Sequence, residues 1–182
     1  MSWQFQLLGC LLVAALSAQF APVSSHYTSP ECGFEFDYPG EWVASVASDK
    51  KPCRVRLRPR DFAARMNDRD VDVYTLELGL EPGDFLAVAA NNAFDFVRGK
   101  WVTLGRQGMH SDAEVVLTER WHGLRGASAA GCYHEAGGYA GVCEQQLIVL
   151  RDESDNIWSM TGGPQSASVF EAILATFRFL EP

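Results

Sequence analysis

The sequence predicts an α+β domain in which an antiparallel β-sheet is flanked by helices. Three observations lead to this fold class. Several short segments alternate between apolar and polar residues, as half-buried strands do. Two longer segments instead carry apolar residues at helical spacing. The helical segments follow runs of strands rather than alternating with single strands, which favours α+β over a repeating βαβ arrangement.

The chain opens with an apolar leader that is typical of a secretory signal peptide. Its apolar core, residues 7–16, is too short to cross a bilayer, and no later segment is long and apolar enough to do so. Small residues allow cleavage after Ser17 or after Ser25, and we take 1–25 as the signal peptide. Cys10 precedes most of the apolar core, whereas a lipobox cysteine follows it. We therefore expect a secreted or periplasmic, non-lipidated protein.

Residues 26–182 have the length of one globular domain. The chain is 47% hydrophobic and includes 11 Phe and 5 Trp, so a sizeable core is available. Its formal net charge is −8. A surface with this excess of acidic groups disfavours nucleic acids and anionic membranes as partners.

The first half of this domain is predicted to consist of strands. Phe34, Phe36 and Tyr38 alternate with two acidic residues, so one face of this strand is expected to be buried. The Pro-Gly pair that follows is typical of a turn. Alternation of the same kind predicts strands over 33–38, 41–46, 53–58 and 71–80.

The second half is predicted to open with a helix. Asp84 is a good N-cap, and apolar residues recur after it at helical spacing, which predicts a helix over 85–100. The next strands are expected over 113–120, 131–135, 139–151 and 156–160. The middle two would form a hairpin about a turn at Gly137-Gly138. A final helix is capped by Ser166 or Ser168 and buries Val169, Phe170, Ile173, Leu174 and Phe177.

Four cysteines follow the leader, and an even number in an exported chain predicts disulfide bonds. Cys32 and Cys53 lie in the core-facing phase of two nearby strands. Cys132 and Cys143 are equidistant from the predicted hairpin turn. We therefore favour the pairs Cys32–Cys53 and Cys132–Cys143, while the other two connectivities stay open. A bulge near Gly141 would improve the geometry of the second pair. Each bridge should stabilise the fold by about 3 kcal/mol.

Arginines at strand spacing form the most prominent charged pattern. They could grip a carboxylate or a phosphate. We favour the simpler interpretation, in which they lie on the solvent face of a strand and pair with Glu35 and Asp37. The residues concerned are Arg54, Arg56, Arg58 and Arg60.

Three further groups of residues do not complete a known type of site. A calcium loop needs glycine and glutamate at its sixth and twelfth positions, and a catalytic zinc needs about three protein ligands. A nucleophile elbow needs a strand before its serine and a helix after it. Asp68, Asp70 and Asp72 lack the glycine and the glutamate that a calcium loop needs. His122, His134 and Glu135 do not supply three zinc ligands. A strand rather than a helix is expected after Ser128.

The order of motifs resembles that of PsbP-like domains. An aromatic strand runs into Tyr-Pro and then Trp over residues 33–42, and residues 169–179 are similar to the closing helix of that family, with Thr176 in place of a serine. The resemblance spans residues 30–182. It implies an α/β/α sandwich related to a photosystem extrinsic subunit, a Ran-binding import cofactor and bacterial envelope proteins of the DcrB and LpqN type. It also implies binding or assembly of partners rather than catalysis, and no cofactor.

The sequence therefore predicts an exported, non-catalytic binding or assembly domain that acts in the cell envelope or outside the cell. A protein or an envelope component is the expected partner, with Trp121 and Tyr139 as exposed aromatic contacts. The alternative is a small-molecule or copper-binding enzyme. Cleavage after Ser25 would leave His26 as the first residue, and an N-terminal histidine can chelate copper through its amine and ring.

Overall fold

A computed structural model describes residues 23–48, 51–62, 75–105, 110–133, 138–163 and 166–180. The helices in these ranges are α1 (Phe85–Asn91) and α2 (Ala167–Thr176). The strands are β1 (Ser24–Ser29), β2 (Phe34–Pro39), β3 (Trp42–Ser48), β4 (Lys51–Pro59), β5 (Leu76–Glu81), β6 (Phe94–Val97), β7 (Lys100–Leu104), β8 (His110–Asp112), β9 (Glu114–Leu117), β10 (His122–Tyr133), β11 (Tyr139–Arg151), β12 (Ile157–Gly162) and β13 (Arg178–Phe179).

The described strands form three antiparallel sheets. The main sheet has seven strands in the order β3-β4-β5-β12-β11-β10-β9. Two three-stranded sheets accompany it, with the orders β1-β2-β13 and β6-β7-β8. Strand β12, which comes late in the chain, lies between β5 and β11 and so joins the two halves of the main sheet.

The front face of the main sheet carries the larger hydrophobic core. Ile148 and Leu150 of β11 point to this face, where α2 and the β1-β2-β13 sheet cover them. Trp158 is fully buried here, and its ring stacks on Phe177 with 4.3 Å between centroids. The predicted apolar face of the last helix is confirmed, because Val169, Phe170, Ile173 and Phe177 are all buried in this core.

The back face carries a second, smaller core. Leu147 and Val149 alternate with the front-facing residues of β11 and therefore point backwards. They pack with Val88 and Ala89 of α1 and with Phe94 of β6. The predicted arrangement of helices on both faces is thus seen in a looser form, because each face is covered by one helix together with a small sheet.

The predicted helix over 85–100 is wrong in its second half. Asp84 caps α1 as expected, and its carboxylate accepts hydrogen bonds from Leu86 N and Ala87 N at 3.0 Å. The helix ends at Asn91, and Ala93 follows with a φ of 63°. The remaining residues form the β6-β7 hairpin around Arg98 and Gly99, whose φ values of 52° and 83° suit a tight hairpin turn.

Besides β6, β7, β8 and the short β13, two further strands were not predicted from the sequence. The first, β1, begins at Ser24, so its first two residues lie within the predicted signal peptide. The second is most of β10, which runs from His122 through a stretch rich in glycine and alanine. Small residues hide the alternation of a strand, because they carry little apolar surface to mark one face.

The Cys32–Cys53 disulfide is confirmed, with the two Cα atoms 5.4 Å apart. It ties the turn before β2 to β4 and so joins the front layer to the main sheet. Cys143 is also disulfide-bonded, but the Cys132 side chain lies outside the described part, so that pairing stays a prediction. In the β10-β11 ladder Cys143 faces Ala130 rather than Cys132, and the register shifts after Cys132, near Gly141.

Candidate functional site

The described residues form a groove on the back face of the main sheet that is lined in part by polar side chains. One depression of about 500 Å³ lies between the end of α1, Leu104 and strands β10 to β12. A second of about 300 Å³ adjoins it over β4 and β5. Gln145 and Thr161 line both depressions. We call the two together the polar groove.

The register of the main sheet explains why this part of the back face is polar. Leu147 of β11 pairs with Thr161 of β12, which pairs with Glu77 of β5. Side chains in one such row point to the same face. The row therefore begins at Leu147, in the small apolar core under α1, and continues with the polar residues Thr161 and Glu77. The groove lies where the row changes from apolar to polar residues.

The floor and one wall of the groove are held by internal hydrogen bonds. Ser128, which is 7% exposed, donates from Oγ to Leu104 O at 2.7 Å. Asn92 donates from Nδ2 to Val88 O at 2.9 Å and so closes the end of α1. These hydrogen bonds help to fix the shape of the groove.

Three other polar side chains converge on the groove without such partners. Asn91, Gln145 and Thr161 all line it. Their side chains make no hydrogen bond to the residues that the structure describes. Two amides and one hydroxyl can both donate and accept, and none of them titrates near neutral pH. They suit a ligand that presents polar, uncharged groups.

Ion pairs close the β4-β5 end of the groove. Arg54 Nη2 lies 2.6 Å from Glu81 Oε1, and Arg56 Nη2 lies 2.5 Å from Glu77 Oε1. Gly79 has no side chain to obstruct Arg54, whose Nε would lie 3.3 Å from a Cβ placed there. Each arginine has a carboxylate partner, so this end of the groove presents paired rather than net charge.

The partners of the arginine stripe differ from the predicted ones. Glu35 and Asp37 were expected to pair with it, but they lie on β2, in another sheet. The neighbours of β4 are β3 and β5, and the acidic residues of β5 take that place.

Glu35 and Asp37 instead form a second polar cluster with His26 and Arg178. His26 Nδ1–H donates to Asp37 Oδ1 at 2.6 Å, and His26 Nε2 lies 3.4 Å from Glu35 Oε2. The hydrogen bond to Asp37 raises the pKa of His26 above its usual value, and Glu35 adds to this effect. The Arg178 guanidinium, which hydrogen-bonds Glu35, lowers the pKa of that carboxyl.

The predicted aromatic contacts have different environments. Trp121 is only 4% exposed and packs in the front core against Trp158 and Phe177, so it is not the exposed anchor that we expected. The prediction missed this because a single tryptophan between charged residues carries no strand alternation. Tyr139 is 52% exposed, and its contact with a partner stays a prediction. Neither residue lines the polar groove.

Among the residues that the structure describes, no group of three or more His, Cys, Asp and Glu is placed to hold a metal ion. His122 is exposed on β10. The candidate residues Asp68, Asp70, Asp72, His134 and Glu135 lie outside the described part. Ser128 lies within the long strand β10 rather than at a strand-to-helix turn. Neither described helix is long and apolar enough to cross a bilayer.

The sequence-based reasoning missed the residues that line the polar groove. One signal was present in β11, where Cys143, Gln145, Leu147 and Val149 share a face. Gln145 is a polar interruption in that otherwise apolar phase. Its meeting with Thr161 depends on the pairing of β11 with β12, which the alternation of a single strand does not encode.

Comparison with known proteins yields a similarity to solved structures alone. A scan against protein-family models and a search of curated proteins find no match. Among the solved structures that match is the solution structure of cyanobacterial PsbP (CyanoP) from Synechocystis sp. PCC 6803. The identity is 11%, the TM-score is 0.41, and the match covers 92% of this chain and 98% of that chain. This similarity is one of fold alone and carries no argument about a family, a ligand or a partner.

Proposed function

We propose that this chain is an exported, non-catalytic binding domain that holds an uncharged, extended segment of a partner protein in the polar groove. The observation that carries the proposal is the convergence of Asn91, Gln145 and Thr161, whose side chains have no hydrogen-bond partner among the described residues. Side-chain amides and hydroxyls match the alternating donors and acceptors of a peptide main chain.

The electrostatics of the groove support an uncharged ligand. Its arginines are neutralised by Glu77 and Glu81, so a ligand of strong net charge would gain little there. Asn91, Gln145 and Thr161 can hydrogen-bond a ligand, but they do not form an acid–base pair for proton transfer. Their chemistry therefore suits binding rather than catalysis. The Cys32–Cys53 bridge supports the export part of the proposal, because disulfides persist in oxidising compartments.

The first test is site-specific photo-cross-linking in the organism's own cell-envelope and culture fractions. A benzophenone side chain at position 91, on the rim of the groove, should capture a reproducible partner. The same side chain at position 154, in the exposed turn after β11, is the matched control. Equal capture at both positions, or none at position 91, would contradict the proposal.

The second test measures binding of the captured segment as a synthetic peptide. The double variant Gln145→Ala/Thr161→Val removes two hydrogen-bonding groups, and we expect it to weaken binding by about 10- to 100-fold. Ser45→Ala, on an exposed position of β3, should bind as the unmodified chain does. Calorimetry measures all three, and unchanged affinity of the double variant would refute the groove as the binding site.

A further inference from the structure

The outer edge of β9 is open on the described part of the chain. Among the described strands, β9 is the last in the order of the main sheet and pairs with β10 alone. Val115 and Leu117, on one face of β9, are 60% and 74% exposed. The unpaired backbone groups of an edge strand form a template for the addition of another strand, and exposed apolar side chains favour that addition.

The hydrogen-bond phase of the β9-β10 hairpin shows which backbone groups point outwards. Thr118 N donates to Trp121 O at 2.9 Å, which makes these two residues a hydrogen-bonded pair at the turn. Hydrogen-bonded and non-hydrogen-bonded pairs alternate along an antiparallel ladder. The backbone N–H and C=O groups of Val115 and Leu117 therefore point away from β10, towards the open edge.

From this edge we propose that two copies of the chain pair antiparallel through β9, with the two-fold axis at Val116. In this register Val115 of each copy lies opposite Leu117 of the other, as a hydrogen-bonded pair. Both outward-pointing residues are then satisfied, and their exposed side chains cover one another. This interface is separate from the polar groove and does not depend on the function proposed for it.

In other two-fold registers the exposed apolar residues Val115 and Leu117 do not lie opposite one another. An axis at Val115 would leave Leu117 opposite Ala113, and an axis at Leu117 would place Val115 opposite Glu119. The register centred on Val116 also places Glu114 opposite Thr118, so that no carboxylate faces another. The strand is thus self-complementary in shape, hydrogen bonding and charge.

The two edge strands of the main sheet, β3 and β9, differ in how well they are protected against the addition of another strand. The β3-β4 ladder is irregular between Val46 and Ser48, and such bulges hinder strand addition. Strand β9 is regular and contains neither lysine nor proline. Position 46 on β3, which is 49% exposed, therefore offers a matched control for substitutions on β9.

Size and charge set the strength of this pairing. A four-residue edge buries less than the roughly 1,200 Å² of a stable interface, so the dimer is weak and reversible. Each copy carries a net charge of −8, and this repulsion is screened by salt. Dimerisation should therefore strengthen as the salt concentration rises.

Sedimentation equilibrium of the mature chain from about 10 to 500 μM tests the proposal. The mass should move towards twice the monomer value with rising concentration, and at lower concentration in high salt. Leu117→Lys should remain monomeric, while Val46→Lys should dimerise as the unmodified chain does. A monomer throughout this range, or equal effects of the two variants, would overturn the proposal.

Cysteine cross-linking tests the register itself. Val116→Cys places two thiols at the two-fold axis, where Cα atoms lie about 4.5 Å apart and a disulfide can form. Val115→Cys places its two thiols on a diagonal with Cα atoms roughly 8 Å apart, beyond disulfide reach. We expect a covalent dimer from Val116→Cys alone on a non-reducing gel, and cross-linking of Val115→Cys to the same extent would refute the register.

Discussion

At the scale of single residues, the cluster around His26 shows how strand register creates a titratable site. His26 lies directly opposite Asp37, and Arg178 lies directly opposite Glu35. Adjacent strands thus place a cation beside an anion in both pairs, an arrangement that stabilises a sheet modestly. Because His26 is half exposed, solvent and salt limit this contribution.

We predict that His26→Gln destabilises the domain in a pH-dependent manner. The folded-state pKa of His26 is raised above 6.5, so its contribution is fully present below pH 6.5 and is lost as the pH rises through the folded-state pKa. The pKa of Glu35 is lowered from 4.5, so its contribution is lost only at more acidic pH. At pH values between the folded-state pKa of Glu35 and that of His26, the variant should unfold at a temperature about 1–3 °C below that of the unmodified chain. This difference in unfolding temperature should disappear above the folded-state pKa of His26.

Thermal unfolding of both chains from pH 5 to pH 9 measures this gap. His122→Gln, on an exposed position of β10, serves as the control for replacing a histidine outside this cluster. A gap for His26→Gln that widens towards alkaline pH would have the wrong sign and would contradict the interpretation.

At the scale of secondary-structure elements, Gly126 decides how closely the β6-β7-β8 sheet approaches β10. A Cβ at position 126 would lie 2.5 Å from Thr103 Cγ2. Thr103 is fully buried and donates from Oγ1 to Ala127 O at 2.5 Å. The absence of a side chain at Gly126 is therefore what allows this contact, which supports the wall of the polar groove.

We predict that Gly126→Ala destabilises the domain by about 1–3 kcal/mol, as overpacking does. The backbone of Gly126 does not have positive φ, so without the clash alanine would instead stabilise by about 0.4–1 kcal/mol. Adding Thr103→Ser removes Cγ2, keeps the hydroxyl and should restore most of the loss. Urea unfolding of the single and double variants measures the coupling, and failure of the serine to rescue would refute the assigned contact.

The elements that the sequence predicts well are those whose pattern is local. Alternation of large apolar residues predicts β2 and β4, and helical spacing predicts α2. The helix over 85–100 fails because Phe94 and Phe96 fit both a helical stripe and a strand. The tight turn at Arg98 and Gly99 and the pairing with β7 are what make these residues a strand rather than a helix. The groove depends on pairing between distant strands and is not encoded in any one segment.

At the scale of the whole molecule, the Cys32–Cys53 bridge holds the front layer to the main sheet across 21 residues of sequence. Closing a loop of this length in the unfolded chain stabilises the native state by about 3 kcal/mol. The bridge is therefore a substantial part of a stability that is typically 5–15 kcal/mol.

We predict that the double variant Cys32→Ser/Cys53→Ser unfolds about 6–12 °C below the unmodified chain. Differential scanning calorimetry under non-reducing conditions measures the shift. Peptide mapping of the unmodified chain without reductant provides the control, because it should recover the Cys32–Cys53 link together with Cys132–Cys143. A midpoint unaffected by the double variant would show that the bridge does not constrain the unfolded chain as argued.

The unequal sizes of the two hydrophobic cores have a consequence for motion. The front layer is anchored by stacked aromatic rings and a covalent link, whereas α1 rests on a small cluster around Val88 and Ala89. Local opening costs least where few apolar contacts must be broken. The wall beside the polar groove can therefore open locally at a lower free-energy cost than the front layer, so the back face of the sheet is the more deformable of the two.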